Sequence, residues 1–187
     1  MSGYRTFEVR GPLIGSPVTK ALDQISQRLG ISRLDDQALL QAYAAILEEL
    51  RTRKIVRSSN NPVADYTESL VCSKLRLRQE PKSTAGFDAV DQEGTRFEIK
   101  SRRITPHSAS VQLSAFRNLR AKHFDYLIAV VYEADFSIRY AAKVPHALIE
   151  PNARFSSHSN AHLFNLTPDI LELPGVENIT SLLVARS

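Results

Sequence analysis

Apolar and polar positions repeat with a period near 3.6 in three early stretches and with a period of two further on, so the chain reads as helices leading into a sheet. Val18, Leu22, Ile25 and Leu29 predict a first helix, opened by Ser16-Pro17 and stopped by Gly30. A second helix is expected from near Asp35, with Leu39, Leu40, Tyr43, Ile46, Leu47 and Leu50 on one side. Arg51, Arg53 and Lys54 lie at its end and Arg57 just beyond, where cations suit the negative helix terminus. A third is expected over 62–75, with Pro62 near its start, where a missing N–H is tolerated. Ahead of all three, Thr6 to Ile14 reads as a short strand or extended arm. Leu75-Arg76-Leu77-Arg78 either continues the third helix or begins an edge strand.

The period-two segments are Phe87–Val90 and Phe97–Lys100, and Gln92-Glu93-Gly94 between them predicts a hairpin turn. If Asp91 pairs with Thr95, Ala89 lies opposite Phe97, Asp88 opposite Glu98 and Phe87 opposite Ile99. The apolar members then share one face, and Asp88, Glu98 and Lys100 share the other. Directly opposed residues have Cβ atoms about 5 Å apart, close enough for two carboxylates to share one ion. Without a cation they would repel. Asp91 falls on the wrong side for that role, since a one-residue step reverses the face.

Farther along, Leu113 to Lys122 predicts a basic helix on which Arg117 and Arg120, spaced i, i+3, project together. Tyr126 to Tyr132 reads as a buried strand joined to the Glu98 strand by a β-α-β crossover, and Phe136 to Lys143 as its antiparallel return. Beyond it, four prolines interrupt short apolar pieces and leave the pattern undetermined. His158 and His162 have helical spacing in a loop-like context with no third ligand nearby, so they are not read as a zinc site.

Composition narrows the classes. The 187 residues are enough to bury a sizeable core. The formal charge of +4, from 24 basic and 20 acidic residues, permits nucleic-acid binding without requiring it. The Tyr126–Tyr132 run is far shorter than the roughly 20 residues of a membrane-spanning helix, and Met1 to Gly11 has no hydrophobic signal core. Cys72, the one cysteine, excludes an internal disulfide and fits a reducing, cytoplasmic setting; it reads as a packed side chain.

Charge distribution is more telling than net charge. Glu68 interrupts the apolar stripe Ala64, Val71, Leu75, and a carboxylate there calls for solvent or a partner. Between Glu98 and Asp125 there is no acid, while Lys100, Arg102, Arg103, Arg117, Arg120 and Lys122 fall within the span. Acids grouped beside a basic surface suit a metal site that handles phosphates.

Glu68 on a helix, Asp88, then Glu98-Ile99-Lys100 and a following strand resemble the PD-(D/E)XK superfamily of restriction-endonuclease-like nucleases. Asn60 to Glu68 followed by Gly86-Phe87-Asp88-Ala89 is similar to a little-characterised bacterial branch of it. The resemblance covers roughly residues 35 to 150. It departs from the usual pattern in having Phe87 before Asp88, and in Gln112 being followed by Phe116 where the exonuclease-like branch has Tyr. The resemblance implies an α/β fold: a restriction-endonuclease-like core with a central mixed sheet flanked by helices. An N-terminal arm and helix over 1–34 would pack on the 35–150 core, and 151–187 would extend the same domain. It also implies a Mg²⁺-dependent endonuclease acting on DNA, with Mn²⁺ able to substitute. Asp88 and Glu98 would bind the metal, with the Ile99 carbonyl as a further ligand. Glu68 would complete or orient the shell, and Lys100 would position the attacking water or stabilise charge at phosphorus. Arg102, Arg103, Arg117 and Arg120 would contact nucleic acid. Two alternatives from other classes remain open: a catalytically inactive nucleic-acid-binding module, and an interaction subunit docking through the Leu22/Ile25/Leu29 stripe. Cleavage of both strands of a duplex would favour a homodimer.

Overall fold

The computed structural model describes residues 17–81 and 86–185; the Thr6 to Ile14 arm lies outside them. Helix α1 runs Pro17–Arg28 and ends before Gly30, whose φ of 65° leaves the right-handed region. In α2, Asp36–Thr52, the Asp35 side chain caps the first turn by accepting the Ala38 N–H at 2.8 Å. Helix α3, Val63–Leu75, stops at Arg76 (φ 54°), and the chain then enters β1, Arg78–Gln79, which pairs antiparallel with β2, Ala89–Val90. The segment after α3 is therefore an edge strand and not more helix.

The hairpin register is the expected one at Ala89, but regular pairing stops there and does not set Asp88 opposite Glu98. Strand β3, Arg96–Arg103, faces β2 with Ala89 opposite Phe97, and the Asp91 N–H donates to the Thr95 carbonyl at 3.1 Å. At the turn the Asp91 carboxylate accepts the N–H groups of Glu93 and Thr95, which explains its separation from the other acids. Phe87 departs from the expectation. It packs on the opposite side of the sheet from Ala89, Phe97 and Ile99, because regular pairing in β2 begins only at Ala89 and the alternation does not extend back to it.

Parallel to β3 lies β4, Tyr126–Tyr132, followed by antiparallel β5, Ile138–Pro145, and the short edge β8, Glu177–Asn178. The sheet order is β1-β2-β3-β4-β5-β8, a mixed six-stranded sheet. From β4, Leu127, Ala129 and Val131 face one cluster, while Ile128, Val130 and Tyr132 face the other. A strand covered on both faces has no use for polar residues, which accounts for its unbroken apolar run. Helices α3 and α5, Thr180–Val184, cover one face through Val71 and Leu183. The other face is closed by Phe116 and Phe124 from the β3–β4 connection, Phe164 from the hairpin β6–β7 (Ala153–Ser156 and Ala161–Phe164), and Ile170 from α4, Pro168–Leu171.

That connection corrects the expected helix over 113–122. Its only helical piece is a 3-10 turn, Leu119–Ala121, bounded by Asn118 and Lys122 in left-handed conformations. The Leu113 and Phe116 N–H groups donate to the Phe164 and His162 carbonyls, both at 2.9 Å, so they are unavailable to a helix. The crossover is thus an extended layer tied to β7. Left-handed Asn118 also separates Arg117 from Arg120, which do not share a helix face.

Leu22, Ile25 and Leu29 are exposed, and among the described residues of α1 and α2 only Leu47 is buried. Attachment to the body runs through α2. No helix among the described residues is long and apolar enough to cross a membrane.

Candidate active site

Backbone pairing sets Asp88 between the end of β1 and strand β3. Its N–H donates to the Phe97 carbonyl and its carbonyl accepts from Glu80, both at 2.8 Å, so the residue is gripped by β3 on one side and by the end of β1 on the other. One carboxylate oxygen, Oδ2, accepts the Ile99 N–H at 2.7 Å. That N–H lies between the two polar residues of Glu98-Ile99-Lys100. The same short segment therefore supplies a hydrogen bond, a negative charge and a positive charge to the surroundings of Asp88.

Lys100 Nζ lies 2.8 Å from Glu98 Oε1, and both side chains are largely buried. The ammonium also rests over the Phe116 ring, 4.9 Å from its centre, where the negative face of the aromatic system favours a cation. Phe116, a departure from the exonuclease-like pattern, is the floor under the lysine.

Burial and then the charge of Glu98 push the Asp88 carboxyl up to about 6, against the pull of the Ile99 N–H, Lys100 and Arg57. Glu68 is also raised, first by burial and then by Asp88, while Arg57 and Gln79 pull it back. Asp88 therefore sits electrostatically between two other acids. Asp88 is thus the link between the sequence-derived residues, interacting with Glu68 on one side and with Glu98 and Lys100 on the other, and Glu68 does not stand there unpartnered. Its Oε2 is paired with the Arg57 guanidinium and accepts from Gln79 Nε2 at 3.0 Å. Among the described residues, no three His, Cys, Asp or Glu side chains stand ready-made as a metal cage.

Arg57 is the residue that sequence reasoning passed over. Its backbone N–H donates to Asp65 Oδ2 at 2.8 Å, Ser58 Oγ donates to the same oxygen, and its guanidinium donates to the Glu80 carbonyl at 2.8 Å as well as to Glu68. Asp65 is buried and fixes the start of this loop. Arg57, Glu68, Glu80 and Asp88 line a cleft of about 310 Å³ together with Asn60 and Asn61. Its signal in the sequence was the Asn60-Asn61-Pro62 loop-to-helix junction next to a lone arginine. The terminus of α2 was a sufficient reason for that arginine, and so masked the second one.

The four proposed nucleic-acid contacts have different surroundings. Arg102 follows Glu98 and Lys100 on the same strand face and is held by the Ser110 carbonyl and Ser108 Oγ. Arg103 turns to the opposite face and stacks 4.6 Å from the Phe136 ring centre. Arg117 is exposed, and Arg120 is ion-paired with Glu150 at 2.9 Å. Of the four, Arg102 is the one on the Glu98 and Lys100 side of β3. Cys72 is buried and its thiol is pushed up to about 11 by burial and then by Glu68, which keeps it protonated at neutral pH.

The raised Asp88 carboxyl makes a testable statement about pH. Ionisation in the folded chain is disfavoured relative to the unfolded one, so this group's stabilising contribution is complete below pH about 4 and is lost as pH rises through about 6. A bound divalent cation would reverse the loss by favouring the carboxylate. Mg²⁺ or Mn²⁺ is expected to raise the melting temperature at pH 7.5 and to raise it less at pH 5. Apparent affinity should climb about tenfold per pH unit below 6 and level off above it. Calorimetry over that range decides: an equal cation effect at pH 5 and 7.5 would exclude Asp88 as a ligand. No protein-family model matches the chain, and no curated protein is significantly similar to it.

Proposed function

We propose that this chain is a divalent-cation-dependent phosphodiesterase acting on DNA, an endonuclease with a restriction-endonuclease-like core of the PD-(D/E)XK type. The observation that carries the reading is the coupled pair Asp88 and Glu98 with Lys100 on Glu98. The Asp88 carboxyl, which accepts the Ile99 N–H, is raised to about 6 by burial and then by the charge of Glu98, and Glu98 in turn holds Lys100 at 2.8 Å. Such a pair costs the fold stability unless something positive shares it. Lys100 offsets part of the charge, and the remainder suits a hard cation.

The donor set fits magnesium, which prefers carboxylate and water oxygens, with Asp88 and Glu98 as the protein's ligands and Glu68 as an outer partner once Arg57 is taken into account. When bound, the ion supplies Lewis-acid polarisation of the phosphate and lowers the pKa of a coordinated water. The remaining work belongs to the chain. Glu98 keeps Lys100 oriented, and Lys100 presents N–H donors to the attacking water or to the charge that grows on the phosphoryl oxygens. Arg57, anchored by Glu68 and the Glu80 carbonyl, stands in the adjoining cleft where it can receive a neighbouring phosphate. Arg102 extends the positive surface along β3. Attack of water at phosphorus breaks one P–O bond, and the departing oxygen takes up a proton.

Two carboxylates and a lysine define the reaction class far better than the substrate. A cleavage panel over duplex, single-stranded, branched and modified DNA, with RNA as a comparison, tests the proposal. Product formation with Mg²⁺ or Mn²⁺, abolished by chelator, is the expected result. Salt-sensitive binding with no turnover on any substrate would favour a binding module on the same fold instead.

A further inference from the structure

Among the described residues, eight of the eleven exposed large apolar side chains fall between Leu22 and Ile46. Isolated exposed leucines are ordinary, but a concentration of this kind marks an interaction surface. The densest part is on α2. At about 100° per residue, Leu39, Tyr43, Ile46 and Leu50 fall within an arc of about 60°. Leu39, Tyr43 and Ile46 are 37%, 52% and 54% exposed. Leu47, about 40° beyond this arc, is buried and lines the cleft that separates the helix from Pro62, Tyr66 and Phe136. Tyr43, Ile46 and Leu50 also line this apolar cleft of about 380 Å³.

The charges of α2 indicate what covers this face. Asp35 and Asp36 stand at its start, and Arg51, Arg53 and Lys54 at its end, 17 helical residues or about 25 Å away. Arg51 and Arg53 already pair with Glu48 and Glu49, but these are exposed in-helix pairs of small worth. They leave the cations available to a second acidic partner.

We propose that α2 is the interface of a homodimer in which two copies of the helix pack antiparallel about a two-fold axis passing between Ala44 and Ala45. This register sets Tyr43 against the partner's Ile46 and Leu39 against the partner's Leu50. At the ends it sets Asp36 against the partner's Arg53 and Asp35 against the partner's Lys54. Each of the four apolar positions of the arc meets another of the four and each acidic end meets a basic end, the self-complementarity that a two-fold interface requires. Antiparallel helices also oppose their dipoles favourably. The inference does not depend on the nuclease reading, because none of these residues belongs to the Asp88, Glu98 and Lys100 site.

Sedimentation velocity of the full chain over the micromolar range tests it. The expected result is a concentration-dependent dimer. Ile46→Asp, which acts twice in a two-fold interface, should weaken self-association at least about a hundredfold with an unchanged circular dichroism spectrum. Asp36→Arg should weaken it by placing arginine against the partner's arginine, and adding Arg53→Asp should restore it. A wild type that stays monomeric throughout would overturn the proposal, as would a dimer indifferent to both Ile46→Asp and Asp36→Arg. A monomer that cosediments with anionic phospholipid vesicles would overturn it in favour of a lipid surface. Loss of DNA cleavage with the dimer intact would leave this inference standing and bring down only the proposed function.

Discussion

Glu98→Gln is expected to reduce metal-dependent DNA cleavage by at least about a thousandfold, equivalent to some 4 kcal/mol of transition-state stabilisation. The substitution preserves shape and removes one negative charge. That charge has two neighbours: Lys100, 2.8 Å away, and Asp88, whose carboxyl it helps to raise. Its removal should weaken cation binding directly and release Lys100 from its orienting partner. It should also let Asp88 ionise at lower pH, since the repulsion from Glu98 disappears while Lys100 remains. Carboxyl-resolved NMR of the metal-free protein reads that last effect without any activity measurement. A variant with full chelator-sensitive cleavage would falsify the assignment of Glu98. A downward shift of Asp88 together with an inactive wild type would keep the electrostatic description and discard the chemistry.

Gly86→Ala should destabilise the fold by on the order of 3 kcal/mol, although it adds a single methyl. Gly86 has a φ of 97°, and a Cβ built there would lie 2.4 Å from the Cβ of His123. That contact is with the root of the His123 side chain, so changing rotamer brings no relief. His123→Ala removes the 2.7 Å approach to Cγ but leaves the one to Cβ, so it should rescue less than His123→Gly, which should recover the steric part and leave the penalty for a positive φ. Thermal or denaturant unfolding of the three double and single variants separates the two costs. Equal rescue by alanine and glycine would mean that the two Cβ positions do not meet. The segment immediately ahead of Asp88 is pinned to the β3–β4 connection by this approach, so cleavage should fall further than the stability loss alone explains.

The parts that sequence revealed are those whose partners lie close along the chain. The hairpin was legible because Ala89 and Phe97 are joined by a turn with Asp91 and Gly94 in diagnostic places, and its register followed from the alternation. Helices α2 and α3 were legible from their stripes. The β3–β4 connection was not. Leu113, Phe116 and Leu119 have helical spacing, but their segment spends its backbone hydrogen bonds on His162 and Phe164, partners roughly fifty residues on that leave no local trace. Arg57 was obscured for a related reason: its pairing with Glu68 arises from the way the loop before α3 folds back, and the end of α2 already offered an adequate use for a cation. Glu68 illustrates the difference between locating a residue and knowing its state. Its stripe position brought it to the acidic region, while its engagement with Arg57 and Gln79 became visible only in three dimensions.

The two outer strands, β1 and β8, are only two residues long, and each ends in or adjoins charge: Arg78 and Glu80 on one side, Glu177 on the other. An edge so brief gives an incoming chain almost no ladder to copy, and the charges penalise any that tries. The two outermost strands are therefore poor templates for an incoming chain in the native state. The hazard is displaced to conditions that strip the edges away: exposure of Tyr126–Tyr132 during synthesis or heating would uncover a seven-residue segment with high β-propensity and no charge. Losses during expression and storage should then follow the fraction unfolded, and treatments that stabilise the native state should improve recovery more than changes to the native surface.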